Sequence, residues 1–164
     1  MSSAVTVPQS HLDLLEQPNF VHLSTVRPDG SPQGSVMWFE WNGTHLLFTH
    51  TSGRQKMRNL QREPRVSVLI TDPADPYRTL EIRGVVESIE PDPGAAFYQR
   101  LQQRYGRERP VYDADQRVVV SVRPTQVVTV DGGLTAAEQV VRRQLIADLA
   151  ARDSAVVGDE QKEA

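Results

Sequence analysis

The 164-residue chain contains no cysteine. That absence removes disulfides, thiolate metal sites and cysteine nucleophiles together. Lysine is almost as scarce: sixteen arginines stand against two lysines, Lys56 and Lys162. Lys162 lies in the polar C-terminal stretch, which leaves Lys56 alone in the expected fold. A single lysine in an arginine-rich chain can mark a place that needs a compact point charge, or be chance. No apolar run approaches the roughly 18–20 residues that span a bilayer, and "MSSAVTVPQS" lacks the apolar region of a signal peptide. These features lead us to expect a cytoplasmic protein without a membrane partner. Formal net charge is −3, so general nucleic-acid binding, which depends on neutralising phosphates, is not expected.

What is present is a series of short strands with turn signals. "FVHLSTVR" (20–27) is closed by the turn "PDGS"; "QGSVMWFEW" (33–41) leads through Asn42-Gly43 into "HLLFTHT" (45–51). "RVSVLITD" (65–72), "RTLEIRGVVESIE" (78–90), "RVVVSVRP" (117–124) and "TQVVTV" (125–130) follow, with Gly84 expected to mark a bulge. Helical spacing appears in 8–18, in 52–63 with Ser52 as a candidate N-cap, and in 92–106, where Phe97, Leu101 and Tyr105 recur. With antiparallel hairpins and no βαβ repeat, the pattern predicts a mainly β fold: a barrel of about six antiparallel strands with peripheral helices. Residues 1–133 form the expected domain, 134–154 an appended helix that docks on the barrel or on a partner subunit, and 155–164 a disordered tail.

Metal and nucleophile signatures are weak. The four histidines form no HxxxH pair, and His45 and His50 are expected on opposite faces of a strand, so no metal site is expected. There is no G-x-S-x-G elbow, no Walker A loop and no G-x-G-x-x-G. Asp113 and Asp115 read as solvated turn acids. The distinctive stretch is "FTHTSGRQKMRNLQREP" (48–64), where Arg54, Lys56, Arg58 and Arg62, with Arg65 just beyond, fall within twelve residues. Arg58 and Arg62 fit the outer face of an amphipathic helix. Arg54 and Lys56 sit at its start, where free amide groups favour an anion, beside the hydroxyls of Thr49, Thr51 and Ser52 and the small Gly53. A phosphate seat and a solvated helix face both remain open for this pair. In the second strand, Gly34 and Ser35 leave space either for a flat ring or for a tight barrel bend.

The segments "LSTVRPDGSPQGSVMWFEW", "LLFTHTSGRQKMRNLQREPRVSVLI", with its R-x-K-x-x-N-L helix, and "EIRGVVE" occur in order. Together they make residues 8–130 resemble the flavin/deazaflavin oxidoreductase superfamily, the split β-barrel proteins related to pyridoxamine 5′-phosphate oxidase. The R-x-K-x-R-N-L form is most similar to the branch that uses the deazaflavin coenzyme F420. The resemblance implies a homodimer with two cofactor sites at the subunit interface. It implies that Arg54 and Lys56 bind the cofactor phosphate and that Thr49, His50 and Thr51 line the approach. Pro32, Gln33, Gly34 and Ser35 would lie beside the isoalloxazine-like ring, with Tyr77 and Arg78 completing the site from the other subunit. The implied activity is hydride transfer between F420 and an electron-poor small organic substrate. FMN is the alternative cofactor, and a non-enzymatic carrier of flavin, deazaflavin or haem is the alternative function. The N-terminal segment is short for a pyridoxamine phosphate oxidase, and no residue is nominated as the catalytic acid.

Overall fold

Alternating burial along the strands shows how the sheet presents one face to the core. In β1 (Val21–Val26), Val21, Leu23 and Thr25 are buried and the residues between them exposed; β5 (Arg65–Asp72) buries Val66, Val68, Ile70 and Asp72 in the same way. The computed structural model describes residues 5–160. The remaining strands are β2 (Pro32–Met37), β3 (Glu40–Trp41), β4 (Leu46–Thr51), β6 (Asp75–Pro91) and β7 (Arg117–Asp131). All pair antiparallel in the order β2-β1-β5-β6-β7-β4-β3. Leu23 and Ile70 from one side share a single apolar cluster with Leu46, Phe48 and Val120 from the other. The sheet is therefore coiled around one core.

The described residues form seven strands, where the sequence pattern suggests about six. The expected strand 33–41 breaks at Trp38 and Phe39 into β2 and β3, because the Tyr105 hydroxyl reaches in between. It donates to the Asn19 carbonyl at 2.7 Å and accepts from the Phe39 amide at 3.2 Å. Conversely, the expected strands 117–124 and 125–130 are one continuous β7. Pro124 is accommodated where β7 pairs with Gly84 and the register slips between Arg83 and Gly84, while β4 pairs only as far as Val122. Proline lacks a ladder donor, and this is a bulged position unpaired on its other side. The Thr125 hydroxyl donates to the Arg83 carbonyl at 3.1 Å across the gap. The bulge at Gly84 is the one the sequence predicts. A Cβ there would stand 2.6 Å from Val122 Cγ1 and 2.7 Å from the Arg123 carbonyl oxygen.

Among the described residues, four α-helices accompany the sheet: α1 (Asp13–Glu16), α2 (Gln55–Arg62), α3 (Ala96–Arg104) and α4 (Ala136–Glu160). Leu14 and Leu15 of α1 and Met57 and Leu60 of α2 are buried in the core cluster. Ser52 does not cap α2. Its amide donates to the Gln116 carbonyl at 2.9 Å, the chain turns once more, and extended Arg54 occupies the cap position with no side-chain cap bond. The N-terminal amides of α3 are satisfied instead by buried Asp92, which accepts from Phe97 at 2.9 Å and Tyr98 at 3.1 Å. The appended helix spans Ala136–Glu160, beginning later and running further than the expected 134–154. Of the expected tail, 155–160 fall within this helix and 161–164 lie outside the described residues. No helix among the described residues is long and apolar enough to cross a membrane.

Candidate functional site

The end of β4, the start of α2 and the middle of β2 converge on a cleft of about 760 Å³. Gln33, Ser35, Thr49, His50, Thr51, Arg54 and Lys56, all expected site residues, line it. Pro32 lines a different surface depression, beside Thr25 and Arg83. Gly34 does not line the cleft, and a Cβ there would meet only open space. Tyr77 is exposed on the N-terminal part of β6. Arg78 is buried beneath α1, bonded to Asp13 at 2.6 Å and Asp72 at 2.8 Å. Within one chain, Arg78 braces α1 against the sheet and is not part of the cleft.

Lys56 is only 8% exposed, and its ammonium has no carboxylate partner among the described residues. Its one polar contact among the described residues is the Met37 sulfur at 2.9 Å, a weak acceptor. Burial, and secondarily the charge of Arg54, lowers its pKa to about 8. Arg54 likewise has no carboxylate among the described residues. The amides of Gln55 and Lys56, in the first turn of α2, find no backbone acceptor there either. His50 completes the group. Its Nδ1 accepts from the Thr51 amide at 2.9 Å, which leaves the proton on Nε2. That Nε2–H is buried without a partner among the described residues. Burial, then the charges of Lys56, Arg54 and Arg117, depress its pKa to about 4, so the ring is neutral. Unpaired cations, free helix amides and an orphaned donor meet in one place, a donor set suited to an anion such as a phosphate.

The rest of the R-x-K-x-x-N-L segment positions this group. Asn59 is fully buried and donates to Thr25 Oγ1 at 3.1 Å and Gln33 Oε1 at 2.9 Å. It accepts from Gln55 Nε2 at 2.9 Å. One side chain thus ties α2 to β1 and β2 and leaves the Gln33 amide nitrogen for another partner. Arg58 bonds Gln55 Oε1 at 2.7 Å and Arg62 bonds the Pro28 carbonyl; both are exposed and lie outside the cleft, as their helix positions suggest.

The opposite wall is invisible in the sequence because it comes from distant segments. Arg117 lies 3.8 Å over the Tyr98 ring, and its Nε donates to Asp113 at 2.9 Å. Asp113 also accepts from Thr51 Oγ1 at 2.8 Å, so it is a brace for the cleft and not a solvated turn acid. Trp38 stacks near-parallel with Tyr98 and Tyr105, at 6.3 and 5.1 Å between centroids. The period of α3 placed Tyr105 on a packed face; nothing local signalled that Arg117 or Arg109 reaches the same cleft.

A family model described as pyridoxamine 5′-phosphate oxidase matches residues 7–131. A solved structure named F420 reductase is 50% identical, with a TM-score of 0.73, and is matched over 74% of this chain and 98% of its own. A Listeria innocua structure provisionally assigned as a pyridoxamine 5′-phosphate oxidase is 26% identical, with TM-score 0.58 and coverage of 72% and 93%. A conserved hypothetical protein from Mycobacterium tuberculosis shares the fold at 23% identity, with TM-score 0.62 and coverage of 79% and 88%. A search of the curated proteins found no match. Strand order, anion-ready cleft and family match agree, and the chain belongs to the pyridoxamine 5′-phosphate oxidase family of split-barrel proteins.

Proposed function

We propose that this protein is an F420-dependent oxidoreductase acting as a homodimer on an electron-poor small organic substrate. The observation that carries this reading is the Arg54–Lys56–His50 group, three donors without a carboxylate partner among the described residues, in a cleft that no described acidic side chain lines. The 50% identical structure named F420 reductase favours the deazaflavin over FMN. When bound, the reduced deazaflavin supplies a hydride to a C=C, C=N or nitro group. Arg54 and Lys56 would neutralise the cofactor phosphate, and His50 Nε2–H would donate to it. Gln33, held by Asn59, and Ser35 would orient the ring along β2. Trp38 and Tyr98 would exclude water from the space above it. Exposed Tyr77 is suited to reach the partner subunit's cleft across the dimer interface.

Titration with F420 and with FMN, followed by fluorescence, tests the assignment. F420 should bind the tighter of the two and, in reduced form, be oxidised by enones or quinones. Lys56→Ala should weaken binding by about 1–3 kcal/mol through loss of a charge-assisted contact. FMN co-purifying from a host without F420, with no measurable F420 binding, would replace the deazaflavin by FMN. Tight F420 binding without turnover on a broad panel would make the protein a carrier.

A further inference from the structure

Arg54 and Lys56 do not exhaust the positive charge of the cleft. Arg109 also lines it, on the loop that follows α3. Its backbone is held from both sides by one buried amide. Gln102, 5% exposed, donates through Nε2 to the Arg109 carbonyl at 3.1 Å and accepts the Arg109 amide on Oε1. A buried glutamine that spends its donor and acceptor on one loop residue fixes where that residue's side chain starts. The Arg109 guanidinium itself has no carboxylate partner among the described residues. Arg117, by contrast, is matched by Asp113.

Gln102 lies one turn after Tyr98 on α3, so the loop carrying Arg109 is anchored to the helix that supplies the aromatic wall. Phe20, 53% exposed, also lines the cleft and packs on Tyr105 at 5.6 Å between centroids. An exposed phenylalanine, Trp38 and Tyr98 give the cleft an apolar, flat-sided boundary. No Asp or Glu lines the cleft, although the whole chain is acidic. The walls therefore disfavour cations, and with Arg117 paired to Asp113 and Arg54 and Lys56 given to the cofactor, Arg109 is the cation left beside aromatic surface.

We propose that Arg109, Phe20, Trp38 and Tyr98 form a substrate subsite for a planar organic carboxylate. Arg109 pairs the carboxylate and the rings cover the apolar body. The proposal deepens the proposed function and rests on its assignment of Arg54 and Lys56 to the cofactor phosphate.

The test is calorimetric binding of two redox-inert isosteres, 2-naphthoate and 2-naphthamide, to the protein with and without F420. Naphthoate should bind about tenfold more tightly than naphthamide, the worth of one charge-assisted contact. Arg109→Gln should remove that preference while leaving naphthamide and F420 affinity within about twofold. Tyr98→Leu should weaken both naphthyl probes alike. Lys56→Ala should weaken F420 and leave the naphthoate preference of the cofactor-free protein intact. Equal binding of the two probes to wild type overturns the subsite. So does an Arg109→Gln variant that keeps the preference, or that loses F420 instead, which would give Arg109 to the cofactor. A protein that binds no F420 yet shows the Arg109-dependent preference refutes the cofactor assignment and keeps the carboxylate subsite.

Discussion

Lys56 is a buried cation with no counter-charge among the described residues, and its titration gives the site a pH signature. Its pKa in the folded protein is about 8, below the ordinary lysine value of 10.5, because burial and then Arg54 disfavour the ammonium. A bound anion favours the charged form, so above pH 8 binding has to draw a proton onto Lys56. Cofactor affinity should fall by up to about tenfold per pH unit from pH 8 upward. Folding stability moves the other way. Between pH 8 and 10.5 the unfolded chain binds more protons at this residue, so the contribution of Lys56 to stability rises with pH. Loss of binding in this window is therefore not unfolding by Lys56, and thermal melts run beside the titrations check that. Lys56→Arg, which stays charged, should abolish the pH dependence. Residue identity and spacing make Arg54 and Lys56 legible as an anion-seat candidate; the burial that gives Lys56 its pKa is not.

Two features of single elements set the cleft's shape. Asn59, fully buried, holds α2 against β1 and β2 through two hydrogen bonds and accepts a third from Gln55 at the start of its own helix. Asn59→Ala should cost about 1–3 kcal/mol in urea unfolding, because Thr25 and Gln33 lose a buried partner. Cofactor affinity should fall with it, since Arg54 and Lys56 leave from the same helix. Gly84 instead serves the sheet. The added Cβ of Gly84→Ala would overlap Val122 and the backbone of Arg123, and about 1–3 kcal/mol of stability should be lost. Cofactor affinity in that variant should be unchanged, because neither Gly84 nor its neighbours line the cleft. Strand and helix positions, the Gly84 bulge and the Pro-bounded α2 were all legible from periodicity and turn chemistry. The division of 33–41 and the joining of 117–131 were not. The first depends on Tyr105, distant in sequence, and the second on β4 stopping short of Pro124.

At the scale of the molecule, α4 is held to the barrel by Arg143, 3.2 Å from Asp72, and by the Gly133 and Leu134 amides, which donate to buried Asp75 at 3.1 and 3.0 Å. Val140, Val141, Leu145 and Leu149 on this helix remain half or more exposed. A homodimer that covers part of this apolar surface should sediment at twice the 18.4 kDa chain mass. Ending the chain after Gly133 should weaken that dimer, measured by light scattering across a dilution series. A monomer at all concentrations would leave the cleft to one chain's residues.

The amino-acid sequence by itself determined the β-rich class, the helix bounded by Gly53 and Pro64, and the cluster of cations at its start. These rest on local propensity and on residues close together along the chain. Tertiary structure alone decided which cations stay unpaired and which residues face them. Asp113 neutralises Arg117, Asp13 and Asp72 take Arg78, and Arg54 and Lys56 are left beside the orphaned His50. Charge pairing and burial depend on contacts between segments far apart in the chain, and those exist only once the sheet has coiled around its core.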